Sequence, residues 1–286
     1  AASDVYKRQP GYSTLNGERE NTLSHFDVGI FRKAIRHIHR IGKFTARMLR
    51  DEPVKALSYE TYRCLKEAVD IGLTEGTVPA EMSRKLDEDV FVFSGCKTYH
   101  ELREASQLLV DDKGHVKSLQ QFTEDIKSLH PTYNELYLEA EREFAIHSAQ
   151  SAAQWAAIEA DGDRYDLTYR TAGDDKVRAS HVILNGITLP PSHPFWLHYM
   201  PPNGWRCRCR AIQSRQGKYV RTDDAEAMKA GEQATTDTDK KGRNRAEMFR
   251  FNPGKQRIVF PPHHPYYTLS AETRDVIAEL ADERNK

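Results

Sequence analysis

The sequence predicts a mainly helical α+β protein: an N-terminal helical region with a long central helix, followed by a compact strand-and-loop module. Three observations carry this. A helical pattern starting at Pro131, Thr132 and Glu135 runs without a breaker to Asp161–Gly162. The short segment Asp166–Arg170 (DLTYR) then alternates as a strand does. Beyond it, Pro190, Pro191, Pro194, Pro201 and Pro202 forbid any long helix.

The elements follow in order. Residues 1–23 have no initiator Met and are expected to be a disordered or non-native tail. Residues 24–50 read as one amphipathic helix, with Ile30, Ala34, Ile38, Ile41, Thr45 and Met48 on one face. A second helix follows Pro53 and ends near 72–76, with Cys64 inward as a small core residue. Glu81–Asp89 reads as a short helix, Phe91–Gly95 as extended, and Thr98 with Glu101 as a capping box opening a helix to about Val110. Ser118–Leu129 is a further short helix.

In the central helix one face reads Leu136, Ala140, Phe144, Ser148, Ala152, Ala156, and its neighbour ends in Ala145, Ala149, Ala153, Ala157. Such small residues let another backbone approach closely, which predicts a buried position. After it come a short helix within Lys176–Leu184, a turn at Asn185-Gly186, an extended Ile187–Leu189 and a closing strand at Cys209–Gln213. Residues 221–247 read as flexible helix and linker, 249–267 as extended, and Thr268–Arg284 as a final helix. The expected division is therefore 1–23 tail, 24–130 helical region, 131–213 module with the long helix, and 214–286 linker and tail helix.

Bulk properties restrict function. The 286 residues carry 42 Lys+Arg and 42 Asp+Glu, so no global charge points to nucleic acid. A mean hydropathy of −0.72 and the absence of a long apolar run give no membrane span. Four cysteines are too few for a disulfide framework and fit a reducing compartment. No phosphate-binding glycine loop occurs. Locally, Arg32, Lys33, Arg36, Arg40, Lys43 and Arg47 fill the polar side of the first helix, with no acid until Asp51. That set suits contact with DNA or an acidic protein, and equally a solvated face balanced by acids elsewhere.

The densest chemistry lies in His181–Arg210. Cys207 and Cys209 are soft ligands, with His181, His193 and His198 nearby in sequence, so zinc is a candidate cofactor on His181, Cys207, Cys209 and His193. The Cys-x-Cys spacing is shorter than that of ordinary zinc knuckles. The plainer reading buries both cysteines on one face and turns Arg206, Arg208 and Arg210 to the other. A Cys–His nucleophile pair is a further alternative, for which no oriented third group is evident. Arg170, Arg178 and His181 form a polar set that could bind an anion or brace an irregular loop.

Taken together, YLEAEREFAIHSAQSAAQW, YRTAGDDKVRASHVILNGITLP and MPPNGWRCRC closely resemble the phage Mu F-like family of minor head (head morphogenesis) proteins. The matching positions are Asp175, Arg178, His181, Gly186, Pro201, Pro202, Trp205, Cys207, Arg208 and Cys209, and the likeness spans about residues 80–213. The resemblance implies a low-copy virion component that assembles in the host cytoplasm and resides inside the capsid or at the portal vertex. Its expected partners are the portal, other head proteins and packaged DNA, with no membrane. It supplies no catalytic residues and implies a non-enzyme. The alternatives are a zinc- or Cys-dependent enzyme of nuclease or peptidase type, and an effector delivered by the virion.

Overall fold

A computed structural model describes residues 25–74, 76 and 78–284; the expected tail at 1–23 lies outside them. The mainly helical α+β architecture is as the sequence predicts. Helix α1 (Val28–Ile41) starts where the Asp27 side chain accepts from the Gly29 N–H and buries Phe31, Ala34, Ile35 and Ile38. It stops at Gly42, which adopts φ 77° and donates its N–H to the Ile38 carbonyl. The single helix expected over 24–50 is therefore two pieces, the second a 3-10 turn, Ala46–Arg50. A left-handed cap of this kind ends a helix whatever the apolar spacing beyond it.

Helix α2 (Glu52–Leu73) packs against both α3 (Ala80–Gln107) and the central helix α5 (Leu138–Asp161). Between them, α4 (Leu119–Asp125) opens with a complete Ser118/Gln121 capping box, and a π-helical turn (Pro131–Tyr137) leads into α5. The close approach foreseen from the alanines of α5 is real: a Cβ on Gly72 of α2 would lie 2.4 Å from the Ile146 carbonyl oxygen and 2.7 Å from the Ala149 Cβ.

The expected break at Phe91–Gly95 is absent, because α3 runs through it. Phe91, Phe93, Ser94, Gly95 and Cys96 are all buried, so this stretch has no polar face to display a helical period. Phe93 stacks on Phe260 at 3.7 Å between ring centroids, and the Ile277 side chain crosses at Gly95.

The module is a three-stranded antiparallel sheet in the order β2-β1-β3: β1 (Tyr165–Arg170), β2 (Thr188–Leu189) and β3 (Arg210–Arg215). Leu167 pairs with Leu189 and Gln213, and Arg170 with Arg210. One-turn helices α6 (Ala179–Val182) and α7 (Phe195–Tyr199) lie between β1 and β3. Two buried clusters result. One joins α1–α5 to the C-terminal segment; the other gathers the sheet, α7 and the last turns of α5 through Trp155 and Ile158. Helix α5 is the spine of both.

Of the stretch 214–286, expected as linker and tail helix, the described residues 214–284 are more integrated than that. Helix α8 (Asp224–Ala234) puts Ala227 and Ala234 into the sheet cluster, after which Met248, Phe249, Phe251, Val259, Phe260 and Tyr266 enter the helical core. A short helix α9 (Pro253–Gln256) abuts α5 where a Cβ on Gly254 would lie 2.3 Å from the Trp155 Cβ. The final helix, α10 (Ala271–Arg284), buries Val276, Ile277 and Leu280. Scattered aromatics in a polar stretch lack periodicity, so only the fold reveals that they share a core.

A half-buried acid and a fully buried one bind this architecture to pH. Asp89 accepts the Val259 and Phe260 N–H groups at 2.8 and 3.0 Å, and burial raises its pKa to about 6. Burial likewise pushes Glu101 up to about 8. An acid with a raised folded pKa binds protons more tightly when folded, so its contribution is complete below the unfolded value of about 4 and is lost as pH rises. Stability should decline from about pH 4 to about pH 8, with both acids contributing up to about pH 6 and Glu101 alone above it. Denaturant midpoints measured across this range should show the decline, and Glu101→Gln should flatten its upper half. An unchanged upper slope in that variant would contradict the assignment.

Candidate functional site

The site is built where the loop between β1 and β3 closes on itself. Gly186, at φ 95°, turns the chain after α6 and donates its N–H to the Tyr169 carbonyl at 2.9 Å. The next turn, Pro201-Pro202-Asn203-Gly204, is buried throughout, with a cis peptide between the prolines. Asn203 accepts the Tyr169 hydroxyl at 2.8 Å, tying this turn to β1. Gly204 and Cys207 form a tight bend, the Cys207 N–H donating to the Gly204 carbonyl at 3.1 Å. Arg206 takes φ 63° within it, a conformation that costs a non-glycine residue about 1 kcal/mol or more.

Three predicted ligands converge. His181 Nδ1 lies 3.6 Å from Cys207 Sγ and 3.8 Å from Cys209 Sγ, and the three ligand atoms all fall within 4.8 Å of one another. His181, Cys207 and Cys209 are each buried. The hydrogen bond shared by the thiols splits them. Cys207 is held well below the usual thiol range by its bond with Cys209, helped by the charges of His181 and Arg178, whereas Cys209 is pushed up by the same bond and by burial. One thiolate is thus favoured within an otherwise apolar cluster.

His193 does not join them. Its Nδ1 accepts the Phe195 N–H at 3.0 Å and its Nε2 faces Asp224 at 3.4 Å, so it caps α7 instead. His198 is exposed on α7. Spacing along the chain could not separate these histidines, because α7 carries both away from the thiols.

The other motif residues hold the loop. Arg178 donates to the Trp205 carbonyl. Trp205 is buried edge-on against Phe144 and Phe249, so the loop enters the helical core two residues before Cys207 enters the sheet cluster. Arg206 reaches Glu139 and Glu143 of α5 at 3.3 and 3.4 Å. Arg208 grips Asp174 with two bonds of 2.6 Å, and that pairing holds the Asp174 carboxyl below its ordinary range. Both cysteines are buried, while Arg206 turns to α5 and Arg208 to the Asp174 turn. Asp175 is exposed, and its neighbour Asp174 makes the contact. Two adjacent acids in a turn look alike in sequence, and the Tyr169–Asn203 bond left no signal beyond the turn itself.

Arg32, Lys33, Arg36, Arg40, Lys43 and Arg47 are all exposed. Arg47 meets Glu272 of α10 at 3.1 Å, and Arg50 meets Glu279 and Glu283. Acids elsewhere thus balance the lower end of the basic set, while the upper end shows no ion pair among the described residues.

A family model described as Phage Mu protein F like protein matches residues 64–212, from within α2 to the middle of β3. The chain is 29% identical over 122 residues to the Mu-like prophage FluMu F protein of Haemophilus influenzae, which covers 40% of this chain and 29% of that protein. It is 24% identical over 157 residues to the putative capsid assembly protein F of Escherichia phage Mu, covering 54% of this chain and 31% of that protein. The chain spans about three tenths of the length of the curated relatives it matches. No solved structure matches, and no described helix is long and apolar enough to cross a membrane.

Proposed function

The chain belongs to the Phage Mu protein F like family, and on that premise we propose that it is a minor head protein acting in capsid assembly through contacts with the portal and other head proteins. The observation that carries this is how the motif residues are employed. Arg178 is spent on a backbone carbonyl, Arg208 on the carboxylate of Asp174, and Trp205 and the cysteines on the core of this protein. A nucleophile needs an approach for substrate, and the Cys207–His181 pair is buried beneath the loop. This supports a rigid assembly module over a Cys-dependent enzyme.

Co-expression of the full chain with the portal and other head proteins of a Mu-like phage tests the reading. The protein should co-sediment with heads at low copy, and omitting it should yield fewer or aberrant heads. Normal heads formed without it, and no co-sedimentation, would overturn it.

The exposed basic end of α1 is the surface we assign to packaged DNA or an acidic portal face. Arg36→Glu/Arg40→Glu/Lys43→Glu should leave thermal unfolding nearly unchanged, since exposed substitutions stay within about 0.5 kcal/mol. If all three touch phosphates, the slope of log affinity against log salt should drop by roughly 3. Unchanged DNA retention together with an unchanged portal pull-down would make this face plain solvated surface.

A further inference from the structure

The trio at the mouth of the β1–β3 loop has the dimensions of a metal site. Zinc holds thiolate sulfur at about 2.3 Å and imidazole nitrogen at about 2.0–2.1 Å, so neighbouring ligand atoms on a tetrahedron stand about 3.6–3.8 Å apart. The observed separations from His181 Nδ1 are 3.6 Å to Cys207 Sγ and 3.8 Å to Cys209 Sγ.

Both sulfurs stand at the same Nδ1. A cation placed between them satisfies all three at once. From these distances and this donor set we infer that His181, Cys207 and Cys209 bind one zinc ion, with water in the fourth position. Two thiolates and one imidazole select zinc over the harder divalent ions. A cleft of about 360 Å³, lined by Cys209, His147, Gln150, Gln154, Pro201 and Arg210, gives the ion a path to the Cys209 side of the trio.

The ion is a clasp. His181 and Cys209 lie 28 residues apart in sequence, and a metal that ties such distant points removes freedom from the unfolded chain. It also fastens α6 to the start of β3 beside the buried Pro-Pro turn. This inference is independent of the head-assembly role, which could fail without affecting it.

The test uses the full chain, purified under reducing conditions after growth with zinc. About one equivalent of zinc should be present, and stripping it with a chelator should lower the melting temperature by several degrees, zinc restoring it. Cobalt(II) added to the stripped protein should give the visible bands of a tetrahedral ion and thiolate-to-metal charge transfer in the near ultraviolet. His181→Asn, Cys207→Ser and Cys209→Ser should each abolish the thiolate-bound cobalt spectrum or weaken it severalfold, whereas Cys64→Ser and Cys96→Ser should retain it. The cobalt titration of wild-type protein, with circular dichroism confirming its fold, reads the site even where a variant fails to fold. Less than about a tenth of an equivalent of zinc with no cobalt spectrum in folded, reduced protein would overturn the inference. So would loss of the spectrum in Cys64→Ser or Cys96→Ser with His181→Asn unaffected.

Discussion

Lys97→Met should destabilise the protein by about 3–5 kcal/mol, because it strands a carboxylate in the core. Lys97 on α3 and Glu141 on α5 form an ion pair in which both side chains are fully buried. Glu101, one turn further along α3, faces the same lysine and accepts from Asn134 at 2.5 Å. Its pKa, raised to about 8, makes it largely neutral near pH 7, and its Oε2 has no partner among the described residues. The network is therefore one cation against one anion, and it balances. Removing the ammonium leaves Glu141 to take up a proton or pull water inward. Lys97→Met/Glu141→Leu should recover much of the loss, since replacing both partners with apolar groups is often neutral. Urea unfolding of the two singles and the double would decide it. A double variant as unstable as the sum of the singles would show that the pair itself carries little coupling.

The second large effect is expected at Trp205. Trp205→Ala should cost about 3–5 kcal/mol, the range for deleting a large buried aromatic. The indole touches Phe144 of α5 and Phe249 of the C-terminal segment, with His264 beside it. The bond from Arg178 to the Trp205 carbonyl holds the loop backbone in place, which limits collapse into the space. A melting temperature lowered on the order of 10 °C would match that cost. Trp205→Phe should lose much less. A drop of only a degree or two for the alanine variant would mean that the loop does not pin the helical core to the sheet.

Much of the fold is legible because it rests on local physics. The short helix from Ser118, the Gly162 stop of α5 and the alternation at Asp166–Arg170 are each written within a few residues, whereas the capping box expected at Thr98 and Glu101 lies inside α3. The small residues of α5 announced a close neighbour, though not that Gly72 would supply the contact. The reading failed where burial erased the pattern, at Phe91–Gly95, and where one glycine outweighed a continuing apolar period, at Gly42. It also failed in the last third of the chain, where isolated aromatics reach a core assembled from distant helices.

The site divides along the same line. By itself the sequence determined the family resemblance, the central helix and the residue types concentrated between His181 and Arg210, because composition and short-range spacing are enough for these. Tertiary structure alone decided that His181 meets both thiols while His193 caps a helix, that Asp174 rather than Asp175 holds Arg208, and that Trp205 belongs to a different core from Cys207. The physical reason is that ligation and packing depend on distances set by chain closure. Loop closure brings together residues 28 positions apart, and one helical turn sends a near neighbour away.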